Sequence, residues 1–229
     1  MKIFNFGLDI EPGKHKYQPE HWDKLVEKFS PQKVTPYPVE FITAEPESSD
    51  AIVFDLSKKL DLILIDLEKI EKRITRSEDE KEKQLLAKAT GVLEGETLLS
   101  DIEFSPQEAE TLKLLQLITY KPCLGMDKAD QVDGVIGKVI GKAGIVLFFT
   151  AGKKEVRAWG IKKGENILEA AGKIHSDLKR GFIKADITKA CDLDNFFNMA
   201  EAKSRGFVKT VGRDYIVQAG DIIEIRFNV

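Results

Sequence analysis

A mixed α+β and α/β chain is what the sequence predicts: a small sheet interrupted by an antiparallel helical hairpin, then a β-grasp layer of sheet and helix. Three observations carry this. Leu64, Leu67, Ile70 and Ile74 recur at three- and four-residue steps, the seam of an amphipathic helix. Ser105, Pro106, Gln107 and Glu108 read as a capping box with proline at the first helical position, opening a helix that buries Leu112, Leu115 and Ile118. Beyond Gly144 the pattern runs strand, strand, helix, strand, helix, strand, strand, which lays a helix on a mixed sheet with the first hairpin leading.

Residues 1–60 supply the first sheet. Met1 to Leu8 alternate enough for a strand until Glu11, Pro12 and Gly13 break the pattern. Pro19 suits the start of a helix whose inner face is Trp22, Leu25, Val26 and Phe29. The run from Val34 to Ile42 is extended by its prolines, and Ala51 to Leu56 is a second strand of the same sheet. Residues 61–120 form the helical arm, where Leu85, Leu86, Ala89, Val92 and Leu93 restore the stripe after the charged run TRSEDEKEKQ. That run is the solvated far end of the arm.

Residues 121–144 read as a return strand and a flexible connection through Gly134, Gly137, Gly141 and Gly144. Residues 145–229 hold the β-grasp layer. Its first two strands, IVLFFTA and EVRAWGI, flank a Gly-Lys-Lys turn; its helix runs from Asn166, the cap, to Arg180 and stops at Gly181. FIKADI is a third strand, about Asp192 to Lys203 a further helix, and DYIVQAGDIIEIRFNV two closing strands around an Ala-Gly-Asp turn.

With 229 residues, 42% hydrophobic and 32% charged, and a net charge of -3, the composition is that of a folded soluble protein. No apolar run reaches the roughly 18 residues of a membrane span and no signal core is visible, so a cytoplasmic location is expected. Cys123 and Cys191 lie far apart without a partner motif, and His15, His21 and His175 have no ligand spacing. Neither a disulfide framework nor a metal site is expected.

The segments FFTAGKKEVRAWGIKKG, AAGKIHSDLKRGFIKADI and GRDYIVQAGDIIEIRFNV closely resemble the C-terminal TGS region of the YchF-type (Obg-like) GTPase/ATPase family. Upstream, DLEKIEKRI, the charged arm and LKLLQLITYKPCL resemble the helical hairpin that this family inserts into its nucleotide domain, and WDKLVEKFSPQKVTPYPVEFI resembles its switch-bearing stretch. The resemblance implies a truncated P-loop-NTPase-like sheet with an inserted hairpin, followed by a ubiquitin-like β-grasp TGS domain.

Departures from the family's motifs decide the expected chemistry. A P-loop needs Gly, four residues, Gly-Lys and Ser or Thr, so that backbone amides wrap the phosphates and the hydroxyl holds magnesium. Here Gly7 and Gly13 with Lys14 are separated by five residues, and His15 stands where the hydroxyl belongs. Asp9 and Glu11 between them would repel phosphate by about 1 kcal/mol each or more at close range. At the second switch, the family's Asp and Gly positions fall on Thr43 and Pro46, and proline has no amide hydrogen to give. Asp127, Lys128, Ala129 and Asp130 resemble the Asn-Lys-x-Asp base-reading element with Asp for Asn. Lys14, Asp127, Lys128 and Asp130 are therefore a vestigial nucleotide site at most, and no cofactor is expected.

The resemblance also implies a bias toward translation partners, through ribosome or RNA binding by the TGS region. Residues 145–229 carry 15 basic against 11 acidic residues, unlike the acidic remainder. Lys153, Lys154, Arg157, Lys162 and Lys163 on the first hairpin, with Lys179, Arg180 and Lys184 around the end of the helix, form the candidate surface for structured RNA, a ribosome or a protein partner. Phe148, Phe149, Trp159 and Phe182 read as core rather than base-stacking platforms. Two rival readings stand beside this non-enzymatic adaptor: a nucleotide sensor using a remodelled site, and a subunit whose open sheet edge pairs with a partner or with a second copy.

Overall fold

The structure, a computed structural model, describes residues 1–128 and 131–228. In chain order its elements are β1 (Lys2–Phe6), β2 (Gly13–Tyr17), α1 (Trp22–Phe29), β3 (Lys33–Thr35), β4 (Tyr37–Ile42), β5 (Ala51–Asp55), α2 (Lys59–Ile74), α3 (Glu80–Glu94), α4 (Pro106–Leu114), β6 (Cys123–Met126), α5 (Val132–Lys142), β7 (Ile145–Ala151), β8 (Glu155–Lys162), α6 (Ile167–Ile174), α7 (Ser176–Arg180), β9 (Phe182–Lys189), α8 (Met199–Ser204), β10 (Lys209–Val211) and β11 (Asp221–Phe227). They make two compact units, residues 1–15 with 39–143, and residues 16–38 with 144–229.

The first unit holds a five-stranded sheet in the order β2-β4-β1-β5-β6, with β1 parallel to β4 and β5, and β5 parallel to β6. Helices α2 and α3 pack on each other and on this sheet, burying Leu62, Ile70, Leu86, Ala89 and Leu93 with Phe4, Ile52 and Phe54. Residues 75–79 turn the chain between them, with Arg73 Nε donating to Glu82 Oε1 across the turn at 2.8 Å. The capping box at α4 is formed in both directions, by Ser105 and Glu108. Asp66, fully buried on α2, accepts from the Ile118 and Thr119 amides at 3.0 and 2.7 Å and from Thr119 Oγ1 at 2.6 Å. This pins the chain after α4 to the helix pair. Burial pushes the Asp66 carboxyl above its ordinary range, against the three donors.

In the second unit the six-stranded order is β10-β9-β11-β7-β8-β3. Alternation along β7 and β8 sends Phe148 and Ile161 to a core with α6, and Phe149, Val156 and Ala158 to a core with α1 and the turn at 190–195. Asp221, fully buried, accepts from Tyr215 Oη at 2.9 Å, the Gln218 amide at 2.8 Å and Lys189 Nζ at 2.5 Å, closing the last loop onto β11.

Several expectations need correction. The helix expected from Asn166 to Arg180 is two, α6 and α7, broken at His175, whose backbone is extended, and α4 ends at Leu114, before Leu115 and Ile118. Residues 132–142 are not a flexible glycine connection but a helix, because Val135, Ile136, Val139 and Ile140 form a buried face that outweighs the glycines. Residues 16–38 do not extend the first sheet: β3 pairs with β8, Val34 beside Val156, and α1 buries Trp22 and Leu25 in the second unit. About Asp192 to Lys203 is not one helix, since a 3-10 turn ends at Asn195 and Asn198 caps α8 anew. Only one long strand closes the chain; residues before the Ala-Gly-Asp turn make a single bridge, Asn166 with Ile216.

Candidate functional site

The parallel strands β1, β5 and β6 end together, with Phe6 beside Phe54 and Asp55 beside Met126. Ligands of α/β sheets sit outside such carboxyl ends, where the strand order reverses around the central strand. Gly7, Lys58, Asp127 and Lys128 all follow directly from those ends. The site is built around the turn after β1.

Asn5 governs that turn. Its side-chain amide donates to the Leu8 and Ile10 carbonyls at 2.9 and 3.0 Å, and its carbonyl oxygen accepts from the Leu8 amide at 3.1 Å. The Ile10 amide is also used, donating to Leu8 O at 2.9 Å. These two amides, which a phosphate cradle would turn outward, are satisfied within the turn. Gly7 has φ of 92°, and a Cβ there would lie 2.6 Å from Lys58 Cδ. The Lys58 stem packs over Gly7, with its ammonium 5.7 Å from the Phe6 ring centroid. Gly13 opens β2 and Lys14 lies on that strand, exposed. A strand, β2, follows the turn, so the turn itself does not lead into a helix N-terminus as a phosphate loop does.

The loop 43–50 is fastened from one side. Lys121 Nζ donates to the carbonyls of Pro46, Glu47 and Ser49 at 2.9, 2.6 and 2.6 Å. Burial lowers the Lys121 pKa, with the Glu47 carboxylate acting against that. Lys69 holds the Glu47 side chain at 3.0 Å, and Asp50 Oδ2 accepts from the Lys2 amide at 2.7 Å. Asp127 and Lys128 follow β6 and are exposed; Asp130 lies outside the described residues. Asn5, Lys58 and Lys121 escaped the sequence reading. The signal for the first was a carboxamide inside an otherwise apolar strand; for the others there was none.

The cations of the second unit do not form one patch. Lys153 and Lys154 sit at the β7–β8 turn, whereas Lys162 and Lys163 lie at the far end of β8, about 25 Å away at the usual strand rise. Between them Arg157 stacks over the Trp159 ring at 3.8 Å, and Trp159 Nε1 donates to Thr150 Oγ1 at 3.0 Å. Lys179 is paired with Glu169 at 2.8 Å and Arg180 with Asp177 at 2.9 Å. Lys184 is on β9, three strands from β8. Phe148, Phe149 and Phe182 are buried. Among the described residues, no group of His, Cys, Asp or Glu side chains could hold a metal ion, and no helix is long and apolar enough to cross a membrane.

Residues 145–228 match the family YchF-GTPase_C, described as a protein of unknown function (DUF933). The "Ribosome-binding ATPase YchF" of Bacillus subtilis is 31% identical over 74% of this chain and 65% of its own length. The protein of the same name from Mycoplasma genitalium is 37% identical over 54% of this chain and 34% of its own length. "Obg-like ATPase 1" of Xenopus laevis is 47% identical over 41% of this chain and 25% of its own length. The chain thus spans less than two thirds of these curated relatives. The solved Schizosaccharomyces pombe YchF GTPase superposes with a TM-score of 0.76 over 95% of this chain and 88% of that one, at 18% identity. The likeness of fold therefore reaches well beyond the C-terminal match.

Proposed function

Since the chain belongs to the YchF-type (Obg-like) family, we propose that it is a non-catalytic member, an adaptor that docks on the ribosome or its RNA through a β-grasp, TGS-type second unit. The observation that carries the negative half is the turn after β1. Its Leu8 and Ile10 amides are consumed by Asn5 and by the turn itself, and the Lys58 stem packs over Gly7. Those residues do not fit a triphosphate, whose binding depends on outward-facing amides and charge-assisted contacts. Support for the positive half comes from relatives named as ribosome-binding and from the cation-bearing β7–β8 turn.

The test is pelleting of the purified chain with ribosomes through a sucrose cushion, alongside phosphate release from ATP and GTP. Expected are salt-dependent co-pelleting, its loss in the Lys153→Glu, Lys154→Glu, Arg157→Glu triple variant, and no turnover. Steady phosphate release from pure protein, or pelleting unchanged in the triple variant, would overturn the respective half.

The nucleotide-sensor reading rests on a different observation: Gly7, Lys58, Asp127 and Lys128 share one end of the parallel strands. It requires Asn5 to release the turn, which exchange of the Leu8 amide with and without Mg-ATP would report.

A further inference from the structure

On the helical arm, away from the crevice and the second unit's cations, α2 and the end of α4 enclose a groove of about 370 Å³. Its rim is the stripe Lys69, Lys72, Arg73 and Arg76, spaced as one face of a helix and about 10 Å long at the helical rise. No acidic side chain lines the groove. Cations favour a helix C-terminus, which accounts for Lys72 and Arg73 in the last turn of α2 but not for Lys69, for Arg76 beyond the helix end or for the floor they surround. That floor is apolar, formed by Ile70, Leu86, Leu115 and Leu117, and Leu114 stands at the lip with 80% of its surface exposed.

We propose that this groove binds an acidic segment of a partner protein, one that presents leucine-like side chains at helical spacing. Charge selects the sign of the occupant. Arg73 is committed to Glu82 at 2.8 Å and Lys69 to Glu47 at 3.0 Å. Lys72 has only the solvent-screened Glu68 at 3.7 Å, and Arg76 is exposed without an ion pair among the described residues, so these two heads are available to carboxylates. Chemistry of the floor selects its class. Nucleic acid would ask for aromatic platforms on which bases stack, and no aromatic residue lines the groove. An amphipathic helix instead sets anchors at successive turns into an apolar trough while its charged flank meets the rim. Leu114, projecting at the lip, extends the apolar contact.

The test is fluorescence anisotropy with the full chain and a labelled 16-residue peptide of Glu and Asp carrying leucines at i, i+4 and i+7. A peptide of equal charge with those leucines changed to serine, and a labelled oligo(U) RNA, serve as probes of the alternatives. Expected are binding of the leucine peptide at least tenfold tighter than the serine peptide, and weakening of about tenfold or more in Lys72→Glu with Arg76→Glu and in Leu114→Ser. All three side chains are exposed, and circular dichroism checks that the variants remain folded. Equal binding of the two peptides, indifference to the variants, or capture of oligo(U) lost in the same variants would each overturn the proposal. Ribosome pelleting through the second unit is a separate readout, so either idea fails alone.

Discussion

The turn after β1 and the surface of the second unit handle their polar groups in opposite ways. In the turn, the Leu8 and Ile10 amides are spent on Asn5 and on neighbouring backbone, and the Lys58 stem packs over Gly7. In the second unit the deep polar groups are likewise satisfied internally, as at Asp221, but the lysines of the β7–β8 turn project into solvent. On the reading proposed above, losing a nucleotide cradle need not damage the fold: the same backbone donors stabilise a tighter turn, while the lysines of the β7–β8 turn stay in solvent.

The change that most disturbs this picture is Asp221→Ala. It strands the Tyr215 hydroxyl, the Gln218 amide and the Lys189 ammonium, and should cost about 3 kcal/mol of second-unit stability. Denaturation followed by tryptophan fluorescence reads this directly, since Trp22 and Trp159 both belong to that unit. Next is Asn5→Ala, expected to cost about 2 kcal/mol and to speed exchange at the Leu8 amide. If exchange there is unchanged, Asn5 does not hold the turn.

Lys121→Met frees three carbonyls and should make the loop 43–50 cleave faster under limited proteolysis, with little change in β5 or β6. The smallest effect concerns pH. The Lys88 ammonium, followed by the Ser105 amide, lowers the Glu108 carboxyl from its usual 4.5 to about 2. The folded-state pKa is depressed, so the stabilisation is present above about pH 4.5 and is lost as pH falls toward 2. Glu108→Gln should flatten that limb of an acid titration; an unchanged limb would remove Glu108 from the account.

How much of this could be read in advance depended on whether the signal was local. The α4 capping box and the Asn166 cap are set by residues within a turn of each other, and each is found where the spacing put it, whereas the α2 seam is shifted: Leu64 is exposed and Leu62, Ile63 and Asp66 are buried with Ile70. Residues 16–38 join the second sheet rather than the first because pairing of Val34 with Val156 is a long-range choice that no local pattern encodes. The glycines of α5 suggested a loop, since propensity hides a short buried apolar face. At the candidate site, the unsuitable spacing from Gly7 to Lys14 was visible, but Asn5, Lys58 and Lys121 act through contacts that only the folded chain brings together.

On the proposed reading, the turn beyond β1 has no place for a triphosphate. Isothermal titration of the purified chain with Mg-ATP and Mg-GTP tests it most directly. No saturable heat at millimolar nucleotide is the expected result; a stoichiometric micromolar isotherm with either one, abolished by Lys58→Glu, would contradict the account.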